Sequence, residues 1–258
     1  MLSFKDCTNI RIAGDEYTSG FLGLHWLPSA GAAANQSRYE ADVIAGLNRL
    51  MKTFTGWAVI NEVFWNRPRV MWIMPYHPTP ATGPFNATAG ATDLAAATMK
   101  DTTALDGKGA LPKAGQARTI GTGAGSDTII SFTPGVFTAK PGNPTGPGTS
   151  GDEILLHEMV HGIRQMMGRS VREAVAGNPG MDNYEEFVAI LVTNIFRSES
   201  GQTQMRQDHH GFVALSGAAA NPATFKATYS AYLSYMATEQ PRLCQNLRQV
   251  TCAFNPLI

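Results

Sequence analysis

The segment DEILLHEMVHGIRQMMG, residues 152–168, sets two of the chain's six histidines, His157 and His161, four positions apart around Glu158. On an α-helix four positions are slightly more than one turn, so both imidazoles project from one face and the glutamate stands at its edge. Two neutral imidazoles on one rigid rod can bind Zn²⁺, and the adjacent carboxylate can take a proton from water on the metal. A catalytic zinc needs a third protein ligand and leaves its fourth position to water. Downstream, GMDNYEEFVAILVTNIFRSES offers Glu185 and Glu186 at the start of a second helical pattern, in which Phe187, Leu191 and Ile195 recur at helical spacing. A helix beginning near Asn183 would let one glutamate reach the metal, whereas a solvated acidic first turn is favoured by the helix dipole in any case. Spacing leaves the choice between the two glutamates open.

The elements that must position these groups are partly readable. Ser150 followed by Glu153 is a capping-box pair, so the histidine helix is expected from Ser150 to about Gly168, with Leu155, Leu156, Met159, Val160 and Ile163 burying it. Ahead of it GSDTIISFTP predicts a strand from about Asp127 to Thr133, ended by Pro134, and the turn-rich KPGNPTGPGTSG joins the two. Nearer the start, SRYEADVIAGLNRLMKTF carries Val43, Leu47, Leu50 and Phe54 at helical spacing, with Ile44 and Met51 beside them. WAVINEVFW fits a second helix or a strand, and RVMWIMPY, between Pro68 and Pro75, reads as a buried strand. Residues 77–126, rich in Ala, Thr, Gly and Pro, are expected to be mostly surface loop with a weak helical patch near TDLAAATMK. Toward the end, Phe225, Tyr229, Tyr232 and Met236 form a helical stripe that belongs to a core rather than a binding box, before a short helix and tail.

Composition excludes several function classes. Lys and Arg total 20 and Asp and Glu total 20, which gives no basic surface for tracking phosphates and no attraction to an anionic membrane. Nucleic acid is therefore not an expected partner. Charged residues are 16% of the chain against the usual quarter, and 26 Gly and 15 Pro imply long irregular loops on a compact body. No window is long and apolar enough to span a bilayer, and the N-terminal stretch lacks a signal-peptide core. Localisation stays open between the cytoplasm and a piece of a larger exported protein. Cys244 and Cys252 are close enough to close a short disulfide loop in an oxidising compartment, with buried free thiols as the alternative reading.

HEMVH followed by Glu186 in NYEEFVA resembles the gluzincin zinc metallopeptidases, in which a glutamate on a following helix completes a two-histidine site. Asn183, Glu186, Phe187 and Ala189 match the Asn-x-x-Glu-Phe-x-Ala run of anthrax lethal factor, a likeness that favours Glu186 over Glu185 as third ligand. The run from about residue 118 to 215 is also similar to bacterial effector-type zinc metallopeptidases delivered by secretion machines, including domains fused to VgrG spike proteins. The resemblance implies an α+β, zincin-like domain over residues 1–258, mostly helical, with a small sheet whose edge strand, residues 127–133, precedes the zinc helix. Zn²⁺ held by His157, His161 and Glu186, with Glu158 as base, would hydrolyse a protein or peptide laid along that edge. A secretion-apparatus carrier and an inhibitor (immunity) protein are the further partners it implies, in the periplasm or cytoplasm of a target cell.

The chain departs from lethal factor where that protein carries a tyrosine, seven residues before the third ligand, because Pro179 stands there. QDHHGF is then a candidate source of oxyanion stabilisation, with Asp208 orienting His209 or His210 as a catalytic imidazole; a hydrogen-bonded turn buttressing the core, and metal ligation by these histidines, are the alternative readings. Tyr184 and Arg206 are lesser candidates. Two other readings compete with the peptidase: a zincin scaffold reduced to a silent binding or delivery module, and a zinc amidase attacking a non-protein amide such as a cell-wall crosslink.

Overall fold

A computed structural model of the chain describes residues 1–14, 32–76, 81, 83, 85–100, 121–138, 141–171, 175 and 179–258. The expected loop from 77 to 126 therefore lies partly outside the described residues, 101–120 above all. The fold is α+β. Five strands, β1 (Leu2–Phe4), β2 (Cys7–Ile12), β3 (Met71–Met74), β4 (Thr88–Ala91) and β5 (Thr128–Ser131), form one mixed sheet in the order β1-β2-β3-β5-β4. The inner strands β2, β3 and β5 run parallel, and β1 and β4 pair antiparallel on the two edges. Parallel interior strands are buried on both faces, which accounts for the unbroken apolar run of MWIM in β3.

This topology corrects two expectations. The strand before the histidine helix, β5, is paired on both sides, with β3 and with β4, so it is not the sheet edge. The edge is β4, which comes from the stretch read as surface loop and is followed by a single helical turn, α3 (Leu94–Ala97), capped by Asp93. Its sequence, TAGA, has one β-branched residue, Thr88, and no aromatic, and its Ala and Gly are depleted in strands, so little in it signalled one.

Helix α1 (Ala32–Leu50) buries Val43, Leu47 and Leu50 as its spacing requires, but it ends there. Phe54 opens α2 (Phe54–Trp65) instead of closing α1, because Thr53 accepts the N–H of Gly56 as an N-cap and the Glu199 carboxylate takes the N–H groups of Phe54 and Thr55. WAVINEVFW is thereby resolved as helix.

Helix α4 (Gly151–Met166) carries the histidines and starts with the capping box read from the sequence: Ser150 accepts the N–H of Glu153, and Glu153 accepts that of Ser150. It stops where Gly168 takes a left-handed backbone, φ 65°. A side chain there would fall 2.4 Å from the backbone of Gly123. Helix α5 (Tyr184–Glu199) packs against α4, and α6 (Pro222–Thr228), α7 (Ser230–Glu239) and α8 (Pro241–Leu247) bring Phe225, Tyr232 and Met236 into the same core, as expected. That core runs from Phe4 to Leu257. Among the described residues no helix is long and apolar enough to cross a membrane. The three cysteines are free, so no Cys244–Cys252 disulfide forms; burial pushes the Cys7 thiol up to about 11 and that of Cys244 up to about 12.

The two ends of α4 give a direct test. Ser150→Ala removes one half of the capping box and is expected to lower unfolding free energy by about 1 kcal/mol in urea melts. Gly168→Ala should cost more than that, because the new methyl meets backbone that cannot swing aside.

Candidate functional site

Nearly every side chain of α4 is buried, polar ones included, so each polar group has to find a partner inside the protein. Glu153 pairs with Arg197 of α5. The Gln165 side chain spans the sheet edge, accepting from Thr128 Oγ1 at 2.6 Å and donating to the Ala89 carbonyl at 3.2 Å. Gly162 lets helix and sheet meet, since a Cβ there would lie 2.8 Å from Met71 Cε and 3.0 Å from Thr128 Cγ2. These contacts fix α4 in depth and rotation beneath β4 and β5.

Arg164 settles which glutamate faces the histidines. It is fully buried and its Nε donates to both oxygens of Glu185, at 2.9 and 3.0 Å, while the Val171 N–H donates to the same carboxylate at 2.7 Å. The guanidinium also reaches the Arg169 carbonyl and Gln240, and lies over the Tyr184 ring. Glu185 is thus consumed in holding α5 to α4. Glu186, one position further round the helix and capped by Asn183, is left to face the imidazoles.

There the side chains converge. His157 Nε2 and His161 Nε2 are 3.1 Å apart, Glu186 Oε2 is 3.1 Å from His157 Nε2, and Glu186 Oε1 is 3.4 Å from His161 Nε2. Ligand atoms about 2.0–2.1 Å from a tetrahedral zinc stand roughly 3.3 Å from one another. The three separations here are of that size, with the two imidazoles meeting different oxygens of the Glu186 carboxylate. The donor set, two imidazoles and a carboxylate, is also one that suits zinc. One feature departs from usual metal ligation: His157 Nδ1 is buried and bonded to no protein atom.

Without a cation the three groups perturb one another strongly. Burial pushes His157 down to about 3, against the opposing pull of Glu186. Burial also disfavours charge on His161, but Glu186 and then Glu158 outweigh it and raise the imidazole to about 9. Glu186 is driven well below the usual carboxylate range, its burial overcome by His161 and His157. Glu158 is raised to about 7, mainly by burial, while the Ala89 N–H hydrogen-bonds its carboxylate.

A fourth group approaches from the loop after α5. Asn194 of α5 holds the backbone of Arg206 through both N–H and C=O, and buried Arg206 in turn donates to the carbonyls of Asp208 and His209. His209 is thereby set with Nε2 3.4 Å from Glu186 Oε2 and its ring parallel to that of His157 at 6.1 Å. Its Nδ1 lies 2.7 Å from Asp182 Oδ2, so Asp182 orients it and not Asp208, whose carboxylate accepts the N–H groups of Gly211 and Val213 within its own turn. Asp182 was missed because sequence adjacency favoured Asp208; its left-handed backbone, φ 47°, is not visible in a one-dimensional pattern. His210 ends 3.0 Å from the same Asp182 oxygen and is largely exposed. Tyr184 is no candidate for the cleft, since it is buried against Tyr232, Tyr235 and Phe187.

No family model, curated protein or solved structure matches this chain.

These groups line a cleft of ≈ 670 Å³, walled on one side by residues 85–89 leading into β4 and on the other by α4 and α5. Phe85, Phe137 and Phe212 make an apolar end to it, with ring centroids 4.9 and 6.1 Å from that of Phe85. Replacing Glu185 by Gln should leave the buried Arg164 charge unpaired and lower stability by about 3–5 kcal/mol, read by chemical denaturation.

Proposed function

We propose that the chain is a zinc-dependent peptidase, and the observation that carries this is the convergence of His157 Nε2, His161 Nε2 and the Glu186 carboxylate, built from two separate helices with separations of 3.1 to 3.4 Å. Zinc in such a site supplies Lewis acidity, acidifying water and polarising a carbonyl. The chain's own residues do the rest. Glu158, buried beside the triangle and raised to about 7, is poised to take a proton from the attacking water and to pass it to the departing amine. His209 directs Nε2 toward the same space, and in its imidazolium form both ring nitrogens donate, Nδ1 to Asp182 and Nε2 to a developing oxyanion.

The outer edge of β4 suits an extended peptide, which would add to the sheet through main-chain hydrogen bonds. At Ala89 that edge already meets Glu158 and Gln165, so the scissile bond is expected near this residue. The apolar end formed by Phe85, Phe137 and Phe212 would take a large apolar side chain of the substrate. Delivery into another cell by a secretion machine, with an inhibitor protein as guard, is the biological setting that the sequence resemblance adds.

A second reading has its own observation. His209 Nε2 stands as close to Glu186 as the other imidazoles do, and His157, Glu186 and His209 themselves form a group able to hold a cation. With His209 as fourth ligand the site would be closed and structural, and the domain a binding module.

Two variants separate the readings. Glu158→Gln should keep the tightly bound zinc by atomic absorption after dialysis while cleavage of an unfolded protein falls about 10²–10⁴-fold. For a peptidase, His209→Ala lowers kcat about 10²–10³-fold with the tightly bound zinc retained. Loss of that tightly bound zinc in His209→Ala, together with no cleavage by the parent protein, establishes the closed site instead.

A further inference from the structure

We propose that Asp182, His209 and His210 form a second site for a divalent transition cation of the zinc class, sharing His209 with the first. Orienting one imidazole takes one carboxylate and one histidine, so Asp182 and His209 account for the dyad and His210 is left over. Yet His210 Nε2 is brought to 3.0 Å from the same Asp182 oxygen that His209 Nδ1 meets at 2.7 Å, and the three ligand atoms lie within 4.8 Å of one another. Two imidazoles and a monodentate carboxylate are a common zinc donor set, and water can complete the coordination on the exposed side.

The backbone around this cluster is fixed before any ion arrives. The His209 N–H donates to the Gly180 carbonyl at 2.7 Å, its own carbonyl is held by Arg206, and Asp208 locks the turn through Gly211 and Val213. Among the described residues the two non-glycine positions with left-handed backbone are Asp182 (φ 47°), a member of the cluster, and Phe212 (φ 51°), two residues after His210. Strained conformations of this kind persist where the surroundings over-determine them, and they gather at functional sites. Consecutive histidines on a free surface turn would not both be steered onto one carboxylate oxygen.

The existence of this site does not depend on the peptidase reading; its consequence does. His209 offers Nδ1 to the second cation and Nε2 to the first centre, so filling the second site removes the Nδ1–H···Asp182 bond that orients the imidazole. Two like-charged ions on opposite sides of one ring also repel, which weakens each site by the same factor when the other is filled. The exposed His210 and half-buried Asp182 make the second site the weaker of the two. The second cation would act as a brake at high zinc.

The test is zinc binding by equilibrium dialysis of the full chain after chelator stripping, with Zn²⁺ alone as probe. Two ions per chain are expected, the weaker lost at least tenfold in affinity in His210→Ala and in Asp182→Asn, and kept in His157→Ala. A single ion that is lost in His210→Ala but kept in His157→Ala supports this site and sinks the first. An unchanged count and affinity in His210→Ala overturns the proposal, as does loss of the weaker ion in His25→Ala or His77→Ala instead. If His210→Ala does not give the parent circular dichroism spectrum, His210→Gln carries the same comparison.

Discussion

The buried ion pair between Arg164 and Glu185 sets the geometry of everything in the cleft. It joins the second half of α4 to the first turn of α5, with the charged groups fully enclosed and each hydrogen-bonded on several sides. A pair of this kind adds little net stability over a well-packed apolar contact, yet breaking it is costly, so it acts as a register pin more than as glue. With Glu185 pinned, the next residue must turn about 100° around the helix, and that rotation aims Glu186 at His157 and His161. Slipping α5 by one position to bring Glu185 to the imidazoles would set Tyr184 against Arg164 and put Glu186 in the apolar place of Phe187.

What the sequence disclosed, and what it hid, follows the range of the interactions. The histidine pair, the capping box of Ser150 and Glu153 and the helix beginning after Asn183 depend on neighbours within a few positions, and all are where the pattern put them. The break between α1 and α2 falls a few residues earlier than the pattern puts it, because Phe54 keeps the apolar spacing of α1 while the reach of Glu199 to its amide comes from far along the chain. The strands β1 and β2 at the start were not read at all, and β4 was read as loop, because TAGA owes its extended form to pairing with β5 rather than to its own side chains. Within the site, His209 was legible as a histidine worth noticing, whereas its partner Asp182 became visible only once α5 and the later loop were placed side by side.

The sheet does more than carry β4. β4 runs antiparallel at the margin of an otherwise parallel interior, and its Ala89 lies against buried side chains of α4. Ala89 is the point of contact between edge and helix: its amide meets Glu158 and its carbonyl meets Gln165. The proposed base and the proposed peptide platform are thus coupled through a single backbone unit, and the small side chains of Ala87, Ala89 and Ala91 keep that strand from closing the cleft.

The two walls differ in how far apart along the chain their parts lie. The α4–α5 wall is a contiguous stretch, residues 151–199, whereas β4 gains its place only after β2, β3 and β5 have come together from residues 7–12, 71–74 and 128–131. Closing long loops before any contact rewards them is the slow part of assembling such a sheet. During synthesis and refolding, the helical pair should therefore gather its imidazoles and carboxylate while the opposite wall is still absent. The order in which the chain assembles itself delays the platform for a substrate until last.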